Sequence, residues 1–163
     1  MNKVIVITGA SRGIGAAIAL LAGIKGYTVF VNYLRNSEAA NSTVEQILQQ
    51  GGKAFSVAAD VSIETDVLRL FETVDKKAGP RTALVNNAGI LEQQSCLVNM
   101  DAARLQRVFS VNISGSFLCA REAIKRMSSK NNGKGGAIVT FHRLPPGRER
   151  LLNISICGFQ RRN

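Results

Sequence analysis

Up to about residue 139 the chain alternates short β-branched runs with longer segments whose apolar residues recur at helical spacing, and nothing else in it narrows the fold so far. Strands joined by helix-length connections cannot pair as hairpins. They cross over, lie parallel and bury both sheet faces under helices. Lys3–Thr8, Tyr27–Asn32, Lys53–Ala59, Thr82–Asn86 and Ala137–Phe141 read as five strands. Gly13–Gly26, a helix from Ser37 as N-cap to Gln50, a third from near Ser62 to Gly79-Pro80, and Asp101–Met127 read as the helices between them. The last is expected to break near Val111-Asn112. The expected architecture is a three-layer, doubly wound parallel α/β sheet, truncated after about the fifth strand.

The first strand runs into the first helix through Thr8-Gly9-Ala10-Ser11-Arg12-Gly13-Ile14-Gly15. A backbone that turns sharply and approaches a diphosphate cannot carry Cβ atoms at the contact points, and the following helix offers unpaired N–H groups to an anion. Thr8, Gly9, Ser11, Arg12, Gly13, Ile14 and Gly15 are therefore candidate phosphate-site residues. The spacing is G-x-x-x-G-x-G, distinct from the commoner dinucleotide pattern G-x-G-x-x-G. A domain that selects NAD carries an acidic residue at the end of its second strand, bonded to the ribose hydroxyls. Here the stretch is Val31-Asn32-Tyr33-Leu34-Arg35, with no carboxylate to repel a 2′-phosphate. Asn32 and Arg35 join Arg12 as candidate contacts, the two arginines as charge-assisted donors. The expected cofactor is NADP(H), with NAD(H) left open.

Thr8–Gly15, Asp60-Val61, Asn86-Asn87-Ala88-Gly89 and Val111-Asn112 stand in the order and approximate spacing of the short-chain dehydrogenase/reductase family, which residues 1–139 resemble. The resemblance implies a Rossmann fold and hydride transfer between a nicotinamide and an alcohol or carbonyl substrate. It also implies that Asp60 bonds the adenine amino group and that Val61 lines the adenine pocket through its backbone. Asn87, Ala88 and Gly89 would support the sheet and contact the cofactor ribose, and Asn112 would be the helix-kinking asparagine of a proton relay. Intact relatives are homo-oligomers; for this chain the assembly state stays open.

The resemblance stops where the chemistry should start. Such an enzyme needs a serine beside the substrate oxygen, and a tyrosine with a lysine four residues on that lowers its pKa. After the fifth strand the family reads Asn-Val-Ser-Ser and then Tyr-x-x-x-Lys. This chain reads Thr140-Phe141-His142-Arg143-Leu144-Pro145-Pro146, with no tyrosine or lysine after Lys134. Restoring one A before the Thr140 codon permits Asn-Val-Ser-Ser followed by further family-like text. Restoring another base at the Ile156–Cys157 junction permits Tyr-Ala-Val-Ser-Lys. Residues 140–163 are thus expected to be an out-of-frame tail, and the chain as written to be inactive. A sheet cut off there is expected to keep a bare edge and to be prone to aggregation.

Charge and cysteines bound the rest. The net charge of +10 would suit nucleic acid, but Arg143, Arg148, Arg150, Arg161 and Arg162 concentrate much of it in the tail, without interleaved aromatics. Neither a nucleic-acid nor a membrane partner is expected. Cys96, Cys119 and Cys157 lack metal-ligand spacing and are odd in number, so no metal and no disulfide framework are expected. With no signal pattern before Val4, a cytoplasmic location follows. His142, the lone histidine, is assigned no role.

Overall fold

Val4-Ile5-Val6-Ile7 is buried on both faces, as a central parallel strand must be. In the computed structural model it belongs to β1 (Lys3–Ile7), flanked by β2 (Tyr27–Tyr33) and β4 (Ala83–Asn86). The structure describes residues 3–79, 83–93, 95–131, 133–141 and, as backbone alone, 155–158. β3 (Lys53–Ala58) pairs outside β2, and β5 (Ala137–Thr140) outside β4, all parallel. The order β3-β2-β1-β4-β5 reverses direction between β1 and β4, the point where α/β sheets bind ligands.

The two-residue period of the strands divides the core. Ile5, Ile7, Val29 and Val31 pack with Ala19, Ala22, Ala40 and Ile47 of α1 (Gly13–Ile24) and α2 (Ser37–Gln49). Val4, Val6, Phe30 and Leu84 face the other way. They meet Val67, Leu70, Phe71 and Val74 of α3 (Glu64–Ala78) and Cys119, Ala123 and Met127 of α5 (Gly115–Met127). The three-layer, doubly wound α/β architecture expected from the sequence is thus present. Phe71 and Leu70 are wholly buried, and truncating either to alanine costs about 3–5 kcal/mol.

Helix ends depart from expectation by a residue or two. Asn36, not Ser37, caps α2: its side chain accepts from the Ala39 N–H at 2.9 Å. α3 starts at Glu64 without a side-chain cap, because its N-cap residue, Ile63, is apolar; Asp66, expected in the first turn as a charge, reaches back to accept from the Asp60 N–H at 2.9 Å. The break expected near Val111-Asn112 is a π-helical turn, Ser110–Ser114, between α4 (Ala102–Phe109) and α5. Such bulges insert a residue into a helix and often mark functional positions.

A bare edge at β5 was expected and is not found. β6 (Ser155–Gly158) runs antiparallel along β5, with Thr140 opposite Ser155 and Ala137 opposite Gly158. A parallel neighbour would require a crossover, usually through a helix. The intervening sequence carries Pro145-Pro146-Gly147, which resists one. His142, with residues 143–154 and 159–163, lies outside the described residues. β5 itself ends at Thr140, one residue short of the Phe141 expected from the sequence.

Candidate cofactor site

The glycine-rich turn is built as a clamp between the ends of β1, β2 and β4. Gly9 and Gly13 take positive φ, +61° and +59°, which a side chain would resist. A Cβ on Gly9 would lie 2.9 Å from Ala88 Cα, and one on Gly15 would lie 2.5 Å from Asn87 Nδ2 and 2.8 Å from Gly9 O. Nothing lies within 4 Å of the corresponding point on Gly13, so this glycine faces open space at the mouth of α1. Arg12 occupies the N-cap in extended conformation without a side-chain cap bond, and the first turn of α1 holds no acidic residue. The helix therefore presents its N-terminal N–H groups to an incoming anion, with Arg12 and the exposed Ile14 at the rim.

Three side chains hold this shape from below. The Thr8 hydroxyl accepts from the N–H groups of Asn87 and Ala88, both at 3.0 Å, and donates to Val85 O at 3.4 Å. Asn87 Nδ2 donates to Thr8 O at 2.9 Å and Gly9 O at 3.0 Å, locking the β4 loop onto the glycine turn. Asn32 was expected among the cofactor contacts, but it lies beneath the loop and is 1% exposed. Its Nδ2 donates to Ala59 O at 3.0 Å and Val57 O at 3.3 Å, and its Oδ1 accepts from the Gly9 N–H at 3.2 Å. All of its capacity is spent joining β2, β3 and the turn, so its place in the site is that of a support. Thr8, equally buried, is likewise a clamp.

The remaining candidates line the same sheet end. Arg35 is exposed just past β2, and among the described residues between Asn32 and Asn36 there is no carboxylate. Asp60 Oδ1 accepts from the Ser62 N–H at 2.9 Å and the Ser62 hydroxyl at 2.6 Å, a tight turn that fixes the carboxylate after β3. Val61 is 6% exposed, its side chain in the core against Gly115. Gly89 is exposed beside Asn112, and Ser11 is half-buried in the turn.

Asn112 sits in the π-helical turn and pairs with one peptide of the β4 loop: its Oδ1 accepts from Ile90 N–H at 2.8 Å and its Nδ2 donates to Ile90 O at 3.0 Å. Both side-chain groups are thereby used to join the π-helical turn to Ile90, next after the Asn87–Gly89 segment. Its own carbonyl accepts from the Ser116 hydroxyl at 3.2 Å, a contact the sequence reading missed because an i, i+4 serine in a helix is unremarkable by spacing.

The match to known proteins coincides with this architecture. A family model described as short chain dehydrogenase covers residues 3–142. The chain belongs to that family. It is 53% identical over 133 residues to an uncharacterized oxidoreductase, YgfF, of Escherichia coli K12, covering 82% of this chain and 54% of that protein. It is 40% identical to glucose 1-dehydrogenase 2 of Bacillus subtilis 168 over 84% of this chain and 53% of that one. A 3-oxoacyl-[acyl-carrier-protein] reductase of Synechocystis is 39% identical over 81% of this chain and 53% of its own. The chain thus spans about half the length of these curated relatives.

Membership in the short-chain dehydrogenases implies a nicotinamide cofactor, and the residues present suit one. The uncapped α1 N-terminus and the open approach to Gly13 match a diphosphate. No group of metal-ligating side chains exists among the described residues, and no described helix is long and apolar enough to cross a membrane.

The far side of the site differs. Asn86, 3% exposed at the end of β4, donates through Nδ2 to Ser116 O at 3.0 Å and, weakly, to the Thr140 hydroxyl at 3.5 Å. Its Oδ1 is the one buried side-chain polar atom among the described residues without a partner. It was quoted as part of a motif but given no role, and burial is the signal that singles it out.

Proposed function

We propose that residues 1–139 bind NADP(H) and form the cofactor half of an oxidoreductase that moves hydride between NADP(H) and a small alcohol or carbonyl, such as a sugar or ketone. The observation that carries this reading is the open, uncapped α1 N-terminus with exposed Arg12 at its cap, together with an exposed Arg35 and no carboxylate just past β2. The N–H groups of Gly13, Ile14 and Gly15 would hold the diphosphate. Arg12 and Arg35 would grip the 2′-phosphate, and the Asp60 oxygen not engaged by Ser62 would take the adenine amino group. Ala88 and Gly89 would meet the ribose, with Val61 lining the adenine pocket through its backbone. Bound, the cofactor supplies or accepts the hydride. Asn112 would position the β4 loop beneath the nicotinamide end.

Proton transfer is the part these 163 residues do not provide, since no tyrosine or lysine follows Lys134. The proposal therefore includes that the chain as written binds cofactor without turnover, and that residues 140–163 are out of frame. The family match ends at residue 142, which agrees with that boundary. Sequencing the coding DNA from Val139 through Asn163 and downstream tests it: small indels that restore Ser and Tyr-x-x-x-Lys are the expected result. An uninterrupted frame with no such hidden text would favour the second reading, a non-catalytic NADP(H)-binding module. A cytoplasmic site and the absence of nucleic-acid and membrane partners belong to the same proposal.

The binding claim is tested by calorimetric titration of the whole chain with NADPH and NADH. NADPH is expected to bind at least about tenfold more tightly, the share of one charge-assisted contact to the 2′-phosphate. Equal affinities would remove the NADP(H) assignment, and NAD(H) would take its place.

A further inference from the structure

The outer edge of β5 is a row of peptide groups that a sheet of this kind must pair or cover. β6 pairs it over its whole length, Ile138 opposite Cys157 and Val139 opposite Ile156. We propose that Ser155–Gly158 is an edge guard acting in cis: a strand that augments the chain's own sheet and keeps β5 from recruiting a second copy. This goes beyond the cofactor reading and does not depend on it.

Three observations carry the assignment. The pairing is antiparallel, the mode open to any extended segment that returns without a crossover, and the mode by which peptides add to exposed sheet edges. The connection, residues 141–154, reaches far more than the roughly 5 Å separating neighbouring strands, at about 3.3 Å per residue, so the segment can dock within its own molecule. The segment also has the composition of a strand kept from aggregating. The apolar residues of the stretch, Leu151, Leu152, Ile154, Ile156, Cys157 and Phe159, are interrupted by Asn153 and Ser155 and stand between Arg148/Arg150 and Arg161/Arg162, charges of the kind that flank hydrophobic strands in soluble proteins. Whatever reading frame produced it, this stretch serves the edge chemically.

The test is hydrogen exchange of the peptide spanning residues 137–141, with light scattering, on the whole chain and on single proline variants. In an antiparallel ladder adjacent residues alternate between bonding to the partner and pointing away. Ile156→Pro and Cys157→Pro are therefore made separately, since one of the two removes a ladder donor; Gln160→Pro, outside β6, is the control. The wild type is expected to be monomeric with the β5 peptide protected. The more damaging of the two variants should speed exchange there by about tenfold, as loss of one net hydrogen bond implies, and shift the chain to larger species. Unchanged protection in both variants, or an equal loss in Gln160→Pro, would overturn the proposal. A protected wild-type dimer that becomes monomeric in the variants would overturn the cis assignment, showing instead a strand exchanged between copies.

Discussion

The two flanks of the β1–β4 crevice are built to different standards. On the β1–β2 flank the two buried polar side chains at the turn are spent: Asn32 joins β2, β3 and Gly9, and Thr8 takes two N–H groups, while the half-buried Asn87, just past β4, reaches across to bind two carbonyls there. On the β5 flank Asn86 Oδ1 has no partner, and the strand that follows is closed by a short antiparallel segment. A sequence selected for one structure is consistent at every level at once, from turn residues to polar satisfaction. The flank where that consistency fails is also the one where the family match ends, at residue 142.

The largest expected effect comes from breaking the good flank. Gly15→Ala places a methyl 2.5 Å from Asn87 Nδ2 and 2.8 Å from Gly9 O, neither of which can yield without undoing the clamp. It should cost about 3 kcal/mol of stability by urea denaturation and abolish NADPH binding. Gly13→Ala meets nothing in the protein and should cost only about 1 kcal/mol for its positive φ, while still blocking the diphosphate. If the two variants lose equal stability, the clamp is not as tight as described.

Next is a control on where the poor flank begins. Glu122 is 2% exposed on α5 and bonds Lys125 at 2.8 Å and Arg121 at 3.2 Å, together with Arg126, which also reaches Asp75 of α3 at 2.8 Å. Burial works to raise its pKa, but the hydrogen bonds and charges of Lys125 and Arg126 outweigh it and hold the carboxyl below its usual 4.5. A depressed carboxylate contributes stability that is present above the unfolded-state value and lost as pH falls through the folded one. Unfolding free energy should therefore drop below about pH 4.5. Glu122→Gln should cost about 2 kcal/mol at pH 7, discounted for its half-exposed cationic partners, and should flatten that acid slope. A slope unchanged in Glu122→Gln would mean that α5 is already loosely held and that the break starts before β5.

Arg35→Glu probes selectivity without touching the fold. Placing a carboxylate past β2 should weaken NADPH binding by about ten- to a hundredfold and leave NADH unaffected or improved, as one charge-assisted contact predicts. Equal loss for both cofactors would assign Arg35 to general charge rather than to the 2′-phosphate.

Much of this was legible in the sequence, for definite reasons. Period-two burial at Val4–Ile7 and Val29–Val31, glycine at both positive-φ positions of the turn, and the break at Asn112 are local signals with single physical causes. What escaped is what only the fold brings together. Asn32 reads as a cofactor contact at a strand end, and only the arrival of Ala59 and Gly9 shows it to be a buried support. Asp66 reads as a helix-start charge until Asp60 N–H is seen to meet it. β6 could not be read at all, because four residues with Ile and Cys amid arginines become a strand only when β5 offers an edge.

The smallest effect bears most directly on the break. Thr140 stands where the proposed alternative frame would place asparagine. Its hydroxyl touches Asn86 only at 3.5 Å, whereas an asparagine amide carries both a donor for the orphaned Oδ1 and an acceptor for Nδ2. Satisfying one buried acceptor is worth about 1 kcal/mol, so Thr140→Asn should raise the melting temperature by about 2–4 °C for a chain of this size. Thr140→Val, which removes the hydroxyl and keeps the shape, should lower it slightly. Stabilisation by valine together with destabilisation by asparagine would show that the orphaned oxygen is tolerated for its own sake, and the two flanks would then differ by design rather than by damage.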